Sequence, residues 1–357
     1  MGGTIMLSKR IKKLVPYIPG EQPQDRKYIK LNTNENPYPP CPGIGTFLKT
    51  FDPSNLRLYP DPLASRVREK LGRHYNVQKE NVYVGNGSDE VLSFAFYAFF
   101  DSSRGALLFP EFTYSFYPVY CNFYSIVYKK VALNDDFSIN IERFIEQRPS
   151  CGIIFPNPNA PTGILLDLHQ IKNLLNNYSP NNVVIIDEAY IDFGGQSAVE
   201  LISEYRNLLI ISTFSKSRAL AGLRFGFAIG SPQLIQALFT AKDAFNSYPV
   251  DILAQRIGEI ALDEDAYYRN INSNIITTRE YLSQSLTDYS WYVMPSKANF
   301  IFAGKSGIPG EEVYLKLKGE GILVRYFNNK GIDNFVRITV GTNEQIEKLL
   351  KTIKKLF

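Results

Sequence analysis

Histidine and cysteine are scarce in this chain of 357 residues: it holds His74 and His169, and Cys41, Cys121 and Cys151. The cysteines are far apart and odd in number, with neither CxxC nor zinc-ligand spacing. That argues against a disulfide framework and a structural metal and for a reducing, cytoplasmic setting. Neither histidine lies near a Ser or Cys nucleophile motif, which disfavours a hydrolase built on a histidine base. Long hydrophobic runs are missing too. The longest, Val91 to Phe100, is far below the roughly 20 residues that span a bilayer. The start lacks the basic-then-apolar order of a signal peptide. It opens Met1-Gly2, but Met6 stands where a myristoylation site needs Ser or Thr; the first five residues read as a leader before a start at Met6. No excess of one charge appears: 39 Lys and Arg face 35 Asp and Glu, for a formal net charge of +4. The two signs interleave, so neither nucleic acid nor a membrane is expected as a partner. The Lys-rich start (Lys9, Arg10, Lys12, Lys13) reads as a solvated arm.

What is present is an ordinary globular composition, 45% apolar and 21% charged, on a chain long enough for a large domain plus a smaller one. Residues 1–45 read as an arm rich in Pro and Asn, with LNTNENPYPP at Leu31 to Pro40. Apolar runs of strand length follow at Val82–Val84, Gly105–Phe109, Ile126–Val131, Gly152–Phe155, Val183–Ile186, Leu208–Ser212 and Phe225–Ile229. Helical patterns such as Asp89–Phe100 and His169–Asn177 lie between most of them. This alternation predicts an α/β fold with a mostly parallel sheet covered on both faces. Past about residue 230 the grammar changes. A long helical stretch from about Pro249 to Thr287 precedes separated strands at Asn299–Phe302, Ile322–Val324 and Phe335–Val340, then a helix from Asn343. The expected division is an arm (1–45) packing with a small α+β domain (251–357), and a large domain (46–250) that binds the cofactor.

Ligands of open parallel sheets bind beyond the carboxyl ends of the strands, so the residues following each apolar run matter most. After Val183–Ile186 comes Asp187-Glu188-Ala189-Tyr190. An Asp there can cap a turn or helix; it can equally face a buried cation such as a protonated ring nitrogen. After Leu208–Ser212 comes TFSKSRALAGLR, Thr213 to Arg224. A lysine partly desolvated in such a place is a usable nucleophile toward an aldehyde, which makes Lys216 the candidate, while Ser215 and Arg224 suit a phosphate. Between a strand and a helix, GNGSDE (Gly85 to Glu90) offers backbone N–H groups and a helix N-terminus to an anion. It is neither a P-loop nor a dinucleotide fingerprint, and a plain helix cap by Ser88 or Asp89 explains it as well.

LNTNENPYP, LYPDP, GNGSDE, FTYSFY, NPNAPTG, DEAY, SKSRALAGLR and VRITVG occur in that order from about Val15 to the C-terminus. In this the chain resembles the fold-type I pyridoxal-phosphate (PLP) aminotransferases, and within them the histidinol-phosphate aminotransferases. The resemblance implies a seven-stranded large-domain sheet and pyridoxal 5′-phosphate as cofactor. It implies Lys216 as Schiff-base lysine and proton shuttle, Asp187 on the pyridine nitrogen and Tyr190 on the 3′ oxygen. Ser88 and Asp89 through their backbones, with Ser215 and Arg224, would hold the cofactor phosphate, and Tyr114 would stack on the ring. Tyr59 would reach the cofactor phosphate of a neighbouring subunit, which implies a homodimer with shared active sites. Tyr17, Arg325 and Arg337 would bind the substrate's anionic group. One departure stands out: Ala160 occupies the position where the family often has an Asn on the 3′ oxygen, leaving Asn157 or Asn159 as candidate substitutes.

The implied reaction is a ping-pong transamination between L-histidinol phosphate and a 2-oxo acid, typically 2-oxoglutarate, in histidine biosynthesis. Arg337 would equally serve an α-carboxylate. A broad aromatic or aspartate aminotransferase, and a threonine-phosphate decarboxylase of the same fold, are therefore the competing readings. A PLP-binding regulator would need a DNA-binding domain, for which the arm before Leu31 is too short.

Overall fold

A computed structural model describes residues 6–8 and 10–357. The expectations for Met1–Ile5 and Lys9 lie outside the described residues.

The large sheet is built from β2 (Val82–Asn86), β3 (Ala106–Pro110), β4 (Tyr128–Val131), β5 (Ser150–Pro156), β6 (Val183–Asp187), β7 (Leu208–Thr213) and β8 (Phe225–Gly230); β1 (Ile29–Lys30) belongs to the arm. The order across the seven strands is β2-β8-β7-β6-β5-β3-β4. Strand β8 runs antiparallel to both of its neighbours, and the remaining pairs are parallel. The apolar runs are continuous because both faces are covered. Val184, Ile186, Leu208 and Ile210 face one core, with Val67, Ile171 and Ile257 from the helices on that side. Ile185, Leu209 and Ile211 alternate with them onto the opposite core, against Phe96, Ile235 and Leu238. Such period-two alternation into two apolar layers is what a doubly covered parallel sheet requires. At the edge, β4 exposes Lys129 and Lys130, which discourages pairing with another sheet.

The later part of the chain forms a four-stranded antiparallel sheet. It contains β9 (Trp291–Val293), β10 (Phe300–Lys305), β12 (Arg325–Tyr326) and β13 (Val336–Thr339) in the order β12-β13-β10-β9. Its core joins Ile301, Val336 and Ile338 to Val313 and Leu349 from two helices. The arm returns here: β1 pairs in parallel with β11 (Ile322–Leu323), and Leu31 lies in the same core.

The single helical stretch expected from about Pro249 to Thr287 is two helices, Ile252–Asp263 and Asp265–Asp288, parted at Glu264. Asp265 places a carboxylate in the first turn of the second helix and pairs with Arg218 at 2.5 Å. The break lets the first helix lie on the large sheet. The second runs onward, giving Tyr268 and Ile271 to the large core and Leu282 and Leu286 to the small one. We propose that this helix is the connector between a large and a small domain. All three cysteines are buried and free. Among the described residues, no helix is long and apolar enough to cross a membrane.

Candidate active site

The carboxyl ends of β2, β5, β6 and β7 open onto a cavity of about 180 Å³. Lys216 follows β7 by three residues. Its Nζ donates to the Thr33 carbonyl at 3.3 Å, and its own carbonyl accepts from Asn36 Nδ2 at 3.0 Å. The arm therefore grips the lysine at both its amine and its backbone. Asp187 ends β6 and is 6% exposed. Its carboxylate accepts from Tyr117 Oη at 3.3 Å and from the Ala189 N–H at 3.2 Å, but pairs with no cation among the described residues. Burial pushes its pKa up to about 6, against the pull of those two donors. Beside it, burial pushes Glu188 up to about 8, although Ser197 and the Ala198 N–H both donate to it. Tyr190 lines the cavity, packs its ring edge-on against Phe300, and accepts at its hydroxyl from Asn34 Nδ2 at 2.9 Å.

At the other end of the cavity the helix Gly87–Phe99 begins directly after β2. Neither Ser88 nor Asp89 caps it, contrary to the plain-cap reading: the N-cap is Asn86, whose N–H donates to Glu90 Oε2 at 2.7 Å. The backbone here is tight. A Cβ on Gly226 would lie 2.3 Å from the Ser88 nitrogen, and one on Gly87 would lie 2.5 Å from Arg224 Nη2. Only glycines leave this cradle open. Arg224 pairs with Asp89 Oδ2 at 3.1 Å, and Asp89 Oδ1 accepts from Tyr114 Oη at 3.0 Å. Ser215 is buried beside them, its hydroxyl 2.9 Å from that of Thr213.

A second cavity of about 340 Å³ shares Thr33, Tyr114, Tyr190, Lys216 and Arg224 with the first. Tyr17, Arg325 and Arg337 line it. Arg337 Nη2 donates to the Asn32 carbonyl at 3.0 Å, while its buried Nε has no partner among the described residues. Desolvation pushes its pKa down, as expected for a guanidinium held out of water without a counter-anion. Arg325 reaches the carbonyls of Ile18 and Pro19 at 3.5 Å.

The structure thus brings Tyr17, Ser88, Asp89, Tyr114, Asp187, Tyr190, Ser215, Lys216, Arg224, Arg325 and Arg337 around two confluent cavities. Two candidates stand elsewhere. Tyr59 is 81% exposed and stacks on Tyr248 at 4.6 Å. Asn159 is buried and lines neither cavity; its Nδ2 donates to the Phe112 carbonyl at 2.9 Å. Asn157 is tied to Leu166 through both amide atoms, and Ala160 lines both cavities with its methyl. Residue-by-residue reading missed the contacts of Thr33, Asn34, Asn36 and Tyr117. All four lie inside the LNTNENPYP and FTYSFY motifs, which were the available signal.

A reactive amine and a buried acid at the carboxyl edge of such a sheet define the site of a group-transfer enzyme handling a ring cofactor. Residues 26–353 match the family described as aminotransferase class I and II, and the chain belongs to it. Among its relatives is the histidinol-phosphate aminotransferase of Syntrophus aciditrophicus, 57% identical over 99% of both chains. That of Clostridium acetobutylicum is 47% identical over 98% of both. In fold the chain is similar to histidinol-phosphate aminotransferase from Sinorhizobium meliloti in complex with pyridoxal-5′-phosphate (TM-score 0.84, 19% identity, 93% of each chain covered).

Proposed function

We propose that the chain catalyses PLP-dependent transamination between L-histidinol phosphate and 2-oxoglutarate, a step of histidine biosynthesis. One observation carries this reading: the Lys216 amine and the buried Asp187 carboxylate line one cavity, which merges with another that adds the guanidiniums of Arg325 and Arg337. The residues present fit the cofactor. The buried carboxylate pairs with no cation among the described residues, as a site for a protonated pyridine nitrogen should, and the glycine-floored helix N-terminus with Arg224 suits a phosphate.

In this reading Asp187 holds the ring nitrogen, and Tyr190 donates to the 3′ oxygen. Tyr114 stacks on the ring. Ser88 and Asp89 through their backbones, with Ser215 and Arg224, hold the phosphate; Asn159, bonded to the Phe112 carbonyl, stands outside this set. Bound there, PLP supplies an electron sink that makes the substrate Cα–H acidic. Lys216 would join the cofactor's aldehyde carbon and, once freed, would carry the substrate Cα proton as a general base and then acid. Tyr17, Arg325 and Arg337 fix the substrate's phosphate and so orient its Cα toward the lysine.

A homodimer with shared sites and a cytoplasmic location belong to the same proposal. Tyr59 and Tyr248 project from a surface that also exposes Leu56, Leu58, Leu63 and Phe245, an apolar patch of the kind a second copy covers. Free, buried cysteines accord with a reducing compartment.

The test is the visible absorbance of the PLP-loaded protein. Histidinol phosphate should bleach the band and 2-oxoglutarate restore it. Turnover of histidinol phosphate should exceed that of phenylalanine, tyrosine, aspartate and threonine phosphate under matched conditions. Faster use of any of these, or carbon dioxide release from threonine phosphate, would overturn the assignment.

A further inference from the structure

Tyr190 does not act alone. Its hydroxyl oxygen accepts from Asn34 Nδ2 at 2.9 Å, and the amide that donates is locked in place. Asn34 Oδ1 accepts from Thr339 Oγ1 at 3.0 Å, and the same threonine oxygen accepts from the Asn34 N–H at 3.0 Å. The Asn34 carbonyl in turn accepts from Asn299 Nδ2 at 3.0 Å. In this network Asn34 turns Oδ1 toward the Thr339 hydroxyl, which gives it its one hydrogen, and Nδ2 toward Tyr190. Asn34 is 1% exposed and has φ of +56°, so its side chain is held by burial and backbone together.

A phenol hydroxyl carries one proton, which prefers the ring plane. When an N–H occupies one in-plane direction at the oxygen, the proton takes the other. Tyr190 lines both cavities, while Ala160 in the same lining offers only a methyl. We propose that Asn34 is a positioning residue: by donating to Tyr190 it keeps that hydroxyl turned as a donor toward the cofactor's 3′ oxygen. This deepens the reading above and rests on Tyr190 serving that oxygen. It also gives the arm a chemical task. Thr33, Asn34 and Asn36 contact Lys216, Tyr190 and Lys216 again, so seating the arm against β13 sets both site residues at once.

Asn34→Asp makes the sharp test, because it keeps shape, the Thr339 contact and tolerance of positive φ, yet replaces the donor by an acceptor. Tyr190 would then donate to the carboxylate and leave the 3′ oxygen without its hydrogen bond. Loss of a donor to an anionic oxygen raises the pKa of the linked group. The readout is a pH titration of the visible band of the PLP-loaded protein, which does not depend on turnover. Tyr190→Phe and Asn34→Asp should each raise the midpoint, by ~1 unit or about tenfold in proton affinity. The double variant should shift no further than Tyr190→Phe alone. Asn34→Gly, which retains the backbone conformation, should give a smaller rise. An unshifted midpoint in Asn34→Asp, or an equal added shift in the Tyr190→Phe background, overturns the role of Asn34. An unshifted midpoint in Tyr190→Phe instead overturns the reading of Tyr190 on which it rests.

Discussion

The Nζ of Lys216 rests 3.3 Å from the carbonyl oxygen of Thr33, a residue of the N-terminal arm far away in sequence. Before cofactor binds, the amine thus has an acceptor that it must leave in order to react. Lys216→Ala removes the amine while leaving Asp187, Ser215 and Arg224 in place. Turnover should fall by at least ~10³-fold, and equilibrium dialysis should still show PLP bound. Wild-type turnover in this variant would exclude the lysine from the chemistry.

Asp187 and Glu188 link the site to stability. Both have pKa values raised by burial, to about 6 and about 8. A folded-state pKa above the unfolded one means that the folded protein holds the proton more tightly. The resulting stability is fully present below the unfolded carboxylate range and is lost as pH rises through about 6 for Asp187 and about 8 for Glu188. Cofactor-free Asp187→Asn should therefore be more stable than the parent at pH ~8, by about 1–3 kcal/mol, while losing activity. Denaturant melts at pH ~5 and ~8 check the sign: the gain should shrink at the lower pH.

Arg337 lines the second cavity, and its buried Nε has no partner among the described residues. A charge-assisted hydrogen bond there contributes ~1.5–3 kcal/mol. Arg337→Ala should raise KM for histidinol phosphate by ~10- to 150-fold, with a smaller change in kcat. Steady-state kinetics with saturating 2-oxoglutarate separates the two. An unchanged KM would move the phosphate away from this guanidinium.

The proposed sharing of sites between two copies makes a prediction that no single variant tests. Tyr59 lies on the exposed surface rather than in either cavity of its own chain. Tyr59→Ala should weaken cofactor binding, and Lys216→Ala should abolish turnover. Mixing the two and allowing subunits to exchange should restore activity, because one site of each hybrid receives an intact lysine and an intact tyrosine. A mixture no more active than the sum of its parts argues that each site is built from one chain.

Much of this was legible in the sequence for identifiable reasons. The strands β5, β6, β7 and β8 are buried on both faces, so each reads as an unbroken apolar run. Asp187 and Lys216 stand out because one closes such a run and the other comes three residues after one. The two-residue strands β1 and β12 carry no periodicity to detect. The break at Glu264 sits beside an ion pair between residues distant in sequence, Arg218 with Asp265, which no local pattern announces. Asn34 and Tyr117 were hidden for the same cause. An Asn in a Pro-rich arm and a Tyr in an aromatic run acquire their meaning when packing brings them against Tyr190 and Asp187. The motif carries the residues, but only the folded chain supplies their partners.

The most direct single measurement is borohydride reduction of the PLP-loaded protein, followed by proteolysis and mass spectrometry of the peptides. Pyridoxyl label on the peptide containing Lys216, at one group per chain and absent from Asp187→Ala protein that no longer retains PLP, is the expected result. Label on another lysine, or none on a protein that nonetheless turns over histidinol phosphate, would contradict the pairing of amine and carboxylate on which the mechanism depends.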